Sequence, residues 1–298
     1  MVSSIEAHIV SHYRADRAAQ LDLVLNAMLE WKHCLVRAII TSNVDRYETS
    51  GLLRPYQERF AEKGHSLTLN VAGDLSNPRM LTWEHKKFIR PWLEHASPGE
   101  DYFLYIEDDI VITNANLVYF IRAKNQLRPH GLIPGFVRYE TRDGDIRLVD
   151  VTRPEYWQRD RSLSIDGVLY HANVNPYWAG FMVDRSLAEE YVASRSFSPT
   201  DSEFVAWNIQ ERSAMGLTYE NPPPRLKTRV VIPIVNGAPD PDCLVWHCSN
   251  SYSAENHPLN ARLTPSQAYQ TEALAGYLQR KARAALRRVG GSPAKASI

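Results

Sequence analysis

Glu107, Asp108 and Asp109 are three consecutive carboxylates set directly against the apolar run YFLYI at 102–106. Adjacent like charges repel, and a buried carboxylate without a partner is costly, so a strand that runs into such a turn implies a cation. Oxygen donors at the end of a central strand suit a hard divalent ion such as Mg²⁺ or Mn²⁺, shared with substrate phosphates. The competing reading is an acidic surface turn that leads into a helix N-terminus, where Asp and Glu are favoured anyway. The apolar run before the turn tips the balance toward a metal.

The elements that would position this turn follow from periodicity. AHIVSHY reads as a first strand, and RADRAAQLDLVLNAMLEW as a helix with Leu21, Val24, Leu25, Met28 and Leu29 on its apolar face. CLVRAIITSN has the continuous apolar character of a parallel strand covered on both faces. A short helix around PYQERFAEK and a strand SLTLNVA come next. LTWEHKKFIRPWL is expected to be helical as far as Arg90, where Pro91 should disturb it. YFLYI is then a central strand, with Asn114 expected to cap the helix that follows. Alternating strand and helix predicts a doubly wound α/β sheet for this first stretch. Beyond RPHGLIPG the pattern changes to antiparallel strands FVRYE, IRLVDV and GVLYHANV, with SLAEEYVAS and SEFVAWNIQERSAMG as helices. RVVIPIV and CLVWHC add late strands, and a helical tail from Thr264 ends in Arg280, Lys281, Arg283, Arg287 and Arg288.

Composition narrows the function. The 298 residues carry a formal net charge of +0, so no global field draws the chain to nucleic acid or to an acidic surface. Cys34, Cys243 and Cys248 have no metal-type spacing, and their odd number argues against a disulfide framework. The N-terminus lacks a basic patch followed by a long apolar run, and no stretch of 18 or more apolar residues is present. The expectation is a cytoplasmic protein, with peripheral membrane contact through the basic C-terminal helix as a second option.

FLYIEDDIVITNANLVYFIRA resembles the metal-binding segment of GT-A fold glycosyltransferases, in the Glu-Asp-Asp variant of the DXD motif similar to that of N-acetylglucosaminyltransferases. The resemblance implies a Rossmann-like, mostly parallel sheet with a smaller antiparallel acceptor-side subdomain. It divides the chain into a nucleotide-sugar half (1–133), an acceptor-side half (134–263) and a C-terminal helix with a basic tail (264–298). Carried onto this chain, it makes Asp109 the ligand of Mn²⁺ or Mg²⁺, and Glu107 and Asp108 the ribose and neighbouring contacts. Arg14 or Arg17 would be the basic residue after the first strand, Asp45 the acid near the base, and His85 a histidine that meets the nucleotide. Tyr177, Trp178 and Gly180 in NPYWAGF resemble the wall that faces the donor sugar. Asp201 or Glu203 would be the base that deprotonates the acceptor hydroxyl. His247 in CLVWHC would be a second metal ligand. That histidine leans toward retention at the anomeric carbon, whereas an acidic base leans toward inversion, and the stereochemistry stays open.

The expected function is metal-dependent sugar transfer from a UDP- or GDP-sugar to a glycan, lipid-linked or small-molecule acceptor. Two alternatives stand beside it. A sugar-phosphate nucleotidyltransferase would want a glycine-rich phosphate loop, and SHYRADR contains no glycine. A non-catalytic sugar- or nucleotide-binding scaffold would have no need of an intact acidic turn.

Overall fold

The computed structural model describes residues 4–73, 75–151, 157–173, 175–253 and 263–269. The first sheet is built from β1 (Ser4–Ser11), β2 (Leu35–Ser42), β3 (Ser66–Val71) and β4 (Asp101–Glu107), all parallel, in the order β3, β2, β1, β4. Its crossovers are α1 (Ala18–Leu29), the short α2 (Arg46–Thr49), α3 (Arg54–Glu62) and α4 (Lys86–His95). The apolar stripe of α1 is the one expected, with Leu21, Val24, Leu25, Met28 and Leu29 all buried. β1 and β4 are buried along almost their whole length. This is the signature of strands covered on both faces, and YFLYI in β4 reads accordingly as a continuous apolar run. β2, expected to be covered in the same way, instead exposes Leu35 and Arg37 at its start, both on the same face of the sheet.

A tight turn after β4 leads to β5 (Ile110–Val111) and α5 (Asn114–Leu127). Thr113, not Asn114, is the cap of α5: it holds extended backbone and accepts from Asn116 N–H, while Asn116 reciprocates in a capping box. Asn114 instead accepts the backbone N–H of Lys32 at 2.8 Å. Pro91 does not end α4, which runs on to His95. The carbonyl it leaves without an amide belongs to exposed Lys87, where water can satisfy it, and buried Ile89 and Trp92 on the opposite face hold the helix down.

Beyond these elements lie β6 (Ile133–Pro134), β7 (Val137–Arg142), β8 (Asp145–Leu148), β9 (Trp157–Ile165), β10 (Val168–Asn173), β11 (Gly180–Asp184), α6 (Arg185–Ala193), α7 (Ile209–Ser213), β12 (Val230–Val235), β13 (Ala238–Pro239), β14 (Leu244–His247) and α8 (Pro265–Tyr269). A largely antiparallel sheet runs β13, β12, β10, β9, with β6 parallel to β12. A small mixed sheet runs β5, β14, β7, β8. The fold is therefore α/β, a mostly parallel sheet joined to antiparallel ones, as expected. β11 returns to the first sheet and pairs antiparallel with β4. SEFVAWNIQERSAMG is not one helix: a single 3₁₀ segment at Asp201–Phe204 gives way to extended backbone at Val205 and Asn208 before α7 begins. The basic stretch 280–288 lies outside the described residues.

Candidate active site

Chain order reverses between β1 and β4: β2 and β3 build outward on one side of β1, and β4 lies on the other. In open α/β sheets, the crevice beyond the carboxyl ends of strands at such a switch point is where ligands bind. Glu107–Asp108–Asp109 is the turn at that place. The N–H of Asp108 donates to the Val10 carbonyl at the end of β1 (3.1 Å), and the N–H of Glu107 donates to the Ala179 carbonyl (3.0 Å). The acidic turn is thus held by backbone on both flanks.

Each carboxylate has a different environment. Asp108 is 1% exposed, accepts from Ser11 Oγ, and lies 3.1 Å from the Arg17 guanidinium. Burial, with Asp109 adding to it, pushes its pKa up to about 7. Glu107 accepts the Tyr177 hydroxyl at 2.7 Å, and burial together with Asp109 raises its pKa. Asp109 is also buried, but the hydrogen bond and charge of His247 outweigh that burial and hold its carboxyl below the usual range. Arg17 and His247 are therefore protein cations beside a cluster for which the sequence favoured a metal.

His247 arrives through strand register. It pairs with Ile110 across β5 and β14, one residue beyond Asp109, and the N–H of Cys248 donates to the Asp109 carbonyl (2.9 Å). On the other side β14 runs parallel to β7, with Val245 opposite Arg138 and Trp246 opposite Tyr139, so Glu140 reaches His247. His247 Nδ1 lies 2.6 Å from Glu140 Oε1, and Nε2 lies 3.2 Å from Asp109 Oδ2. Burial works against the imidazolium, yet these two hydrogen bonds prevail and push its pKa up to about 9. Arg138, two residues from Glu140 and on the same face of β7, forms a two-point bond to Asp150 (2.8 and 2.7 Å) beneath the Tyr177 ring.

Glu107, Asp108, Asp109, Arg138, Asp150 and His247 line one cleft of about 820 Å³, together with His12, Arg14, Arg17, Asn175, Tyr177, Trp207, Asn208, Gln210 and Glu211. Among the residues expected from sequence, Arg14, Arg17, Glu107, Asp108, Asp109, Tyr177 and His247 all face it. Arg14 is exposed and paired with Asp16, so Arg17 is the basic residue that touches the acidic turn. Asp45 stands off the cleft, exposed at the start of α2. His85 is 2% exposed, tilted against Tyr105 at 4.0 Å between ring centres with its Nδ1 2.8 Å from the Thr82 carbonyl, and does not line the cleft. It is a core histidine whose burial depresses its pKa well below 6.5.

The expected sugar wall is rearranged. Trp178 turns inward against Phe136 (4.8 Å), and a Cβ built on Gly180 would come within 2.6 Å of that indole and of the Tyr105 carbonyl. Gly180 is required by core packing. Trp207 takes the surface place instead, stacked at 5.9 Å and 23° to Tyr177. Asp201 and Glu203 are exposed and lie outside the cleft lining, with Glu203 at 4.0 Å from Arg212. The break before α7 carries the chain past them, and the carboxylate presented to the cleft from this segment is Glu211. It accepts Asn208 N–H (3.2 Å) in a capping box, and burial raises its pKa. Asn208-Ile-Gln-Glu211 is the capping-box pattern, so a signal for this helix start was present in the sequence.

Asp109 and His247 suit a divalent ion. Asp109 Oδ1 is buried with no hydrogen-bond partner, while Oδ2 and His247 Nε2 are neighbours on the cleft wall. One carboxylate oxygen and one imidazole nitrogen form a donor set acceptable to Mn²⁺. No group of three or more His, Cys, Asp or Glu is arranged to hold a metal among the described residues. An ion here would therefore draw its remaining ligands from substrate oxygens and water.

No protein-family model matches the chain, and no curated protein matches it in sequence. Among solved structures it is similar to S. aureus TarS 1-349, at 9% identity and a TM-score of 0.40, over 83% of this chain and 61% of that one. It is also similar to the mannosyltransferase PcManGT from Pyrobaculum calidifontis, in complex with GDP-Man and Mn²⁺, at 11% identity and a TM-score of 0.41, over 98% of this chain and 77% of that one. A third similarity is to the apo-form glycosyltransferase GlyE of Streptococcus pneumoniae TIGR4, at 10% identity and a TM-score of 0.38, over 76% and 45%. The chain spans less than two thirds of the length of TarS 1-349 and less than half of that of GlyE.

Proposed function

We propose that this chain is a metal-dependent glycosyltransferase that moves a sugar from a nucleoside-diphosphate sugar to an acceptor hydroxyl. The observation that carries the reading is Asp109: a buried carboxylate at the switch point of a parallel sheet, with one oxygen unpartnered and the other beside His247 in a large polar cleft. Asp109 and His247 would hold Mn²⁺ or Mg²⁺, which when bound neutralises charge on the departing diphosphate as a Lewis acid. Arg17 adds a fixed positive charge beside the same turn. Glu107, oriented by the Tyr177 hydroxyl, is suited to the ribose. The paired faces of Tyr177 and Trp207 suit a pyranose. Glu211 is our candidate for the base that takes the acceptor proton: it faces the cleft, burial raises its pKa above the ordinary carboxylate value, and its second oxygen is not used by the capping box. Residues 1–133 would then contribute most of the donor side and 134–263 the acceptor side, with His247 crossing to the metal. Contact of the basic segment 280–288 with anionic lipid remains part of the same proposal and is read by liposome co-sedimentation with and without residues 277–298.

The test is thermal melting with UDP or GDP in the presence and absence of Mn²⁺. We expect a nucleotide-induced rise in Tm that requires the metal and that Asp109→Asn abolishes while the fold is retained. Equal stabilisation without metal, or an unchanged response in Asp109→Asn, contradicts the reading. Product analysis with sugar nucleotides should detect free nucleoside diphosphate; release of pyrophosphate would indicate nucleotidyl transfer instead. Glu211→Gln should lower kcat by about 10²-fold or more and leave the metal-dependent melting shift in place.

A further inference from the structure

Glu140 was not singled out by its sequence context, and it does not line the cleft. It is nevertheless fully buried (0% exposed), and its Oε1 lies 2.6 Å from His247 Nδ1. The same oxygen accepts the backbone N–H of Tyr252 at 3.0 Å, which ties β7 to the segment after β14. The carboxylate therefore reaches the imidazole on the side away from Asp109, whose Oδ2 faces Nε2 at 3.2 Å. A carboxylate this deeply buried needs hydrogen-bond donors, and His247 Nδ1–H and Tyr252 N–H supply them.

On the reading that Asp109 and His247 hold the divalent ion, we propose that Glu140 is the positioning residue that makes His247 a ligand. By accepting a hydrogen bond from Nδ1–H, Glu140 assigns the imidazole its tautomer. With Nδ1–H committed to Glu140, the proton that Nε2 shares with Asp109 Oδ2 is the one a divalent ion would displace, and Glu140 raises the donor strength of the ring. Metal-bound histidines generally hold their second ring nitrogen this way, and loss of the partner typically costs about 10–100-fold in metal affinity. Parallel pairing of β7 with β14 supports the geometry, because it sets the two side chains by backbone register and not by a flexible loop. Glu140 thus acts through His247 and touches neither substrate nor metal.

The test is a double-mutant cycle on Mn²⁺ affinity, read from the electron paramagnetic resonance signal of free Mn²⁺ with UDP or GDP present. The proteins are wild type, Glu140→Gln, His247→Ala and the double variant, with Asp109→Asn as the control for the metal site. Glu140→Gln is nearly isosteric, and circular dichroism with Tm checks that each protein is folded; Glu140→Asp is the second variant should the first be unstable. We expect Glu140→Gln to weaken Mn²⁺ binding by about 10-fold and to have almost no effect once His247 is Ala. Undiminished Mn²⁺ affinity in folded Glu140→Gln, or an equal loss in both backgrounds, overturns the role of Glu140, while loss of Mn²⁺ binding in Asp109→Asn still places the metal at Asp109. Unchanged binding in both Asp109→Asn and His247→Ala removes the metal reading itself, and this proposal with it.

Discussion

His247 shows how much one side chain can integrate. Between Asp109 and Glu140 it carries a pKa pushed up to about 9 against a burial that opposes it, from an ordinary value of 6.5. A group that binds its proton more tightly when folded adds stability that is full below the unfolded pKa and is lost as the pH rises through the folded one. In metal-free protein the stability gap between wild type and His247→Gln should therefore be widest below pH 6.5 and should narrow as the pH passes about 9. Urea titrations of both proteins in EDTA across that window check this; a gap independent of pH contradicts it. The difference between the two proteins is the quantity to follow, because buried His8 and His85 have lowered pKa values and pull the absolute curve the other way.

At the scale of elements, β4 is the organising strand: it pairs with β1 on one side and β11 on the other, and its end becomes the acidic turn. The approach of β11 is close because Gly180 lets the Trp178 indole and the Tyr105 carbonyl occupy the space where a side chain would begin. Gly180→Ala should destabilise the protein by about 1–3 kcal/mol through overpacking, at the upper end because a backbone carbonyl cannot swing aside. Chemical denaturation measures it, and an unchanged midpoint would show that β11 can shift freely. Another element, α7, is short but well anchored: Trp83 Nε1 donates to the Ile209 carbonyl at 2.8 Å, with Lys86 Nζ 3.7 Å above that indole. Glu211 owes its place in the cleft to these contacts and to the Asn208 cap.

Across the whole molecule, buried ion pairs join distant parts of the chain. Lys124 on α5 meets Asp184 at the junction of β11 and α6, both nearly fully buried, and Asp184 also caps α6 by accepting Leu187 N–H at 3.0 Å. Removing the lysine leaves a buried carboxylate without its countercharge, a change that typically costs about 3–5 kcal/mol. Lys124→Met should therefore lower stability by about that amount, whereas Lys124→Met with Asp184→Asn should recover part of the loss. Denaturant midpoints for the three proteins decide it. No helix among the described residues is long and apolar enough to cross a membrane.

The parallel sheet, the apolar face of α1 and the acidic turn were legible in the sequence because each rests on local periodicity or on adjacent residues. YFLYI next to Glu107, Asp108 and Asp109 announces a buried strand end with a charge problem, whatever surrounds it. Which groups solve that problem was not legible. Arg17 and His247 were candidates among several, and Glu140 was an unremarked residue of a short strand, because strand register across β5, β14 and β7 is a non-local quantity. Glu211, and not Asp201 or Glu203, lines the cleft for a related reason: an apolar, helix-like pattern was interrupted by extended backbone that only packing selects. His85 and Trp178, read as ligand contacts, are core because tertiary neighbours cover the faces that sequence leaves undetermined. Local composition thus determined which chemistry the chain carries at the end of β4, and long-range pairing decided which side chains stand around it.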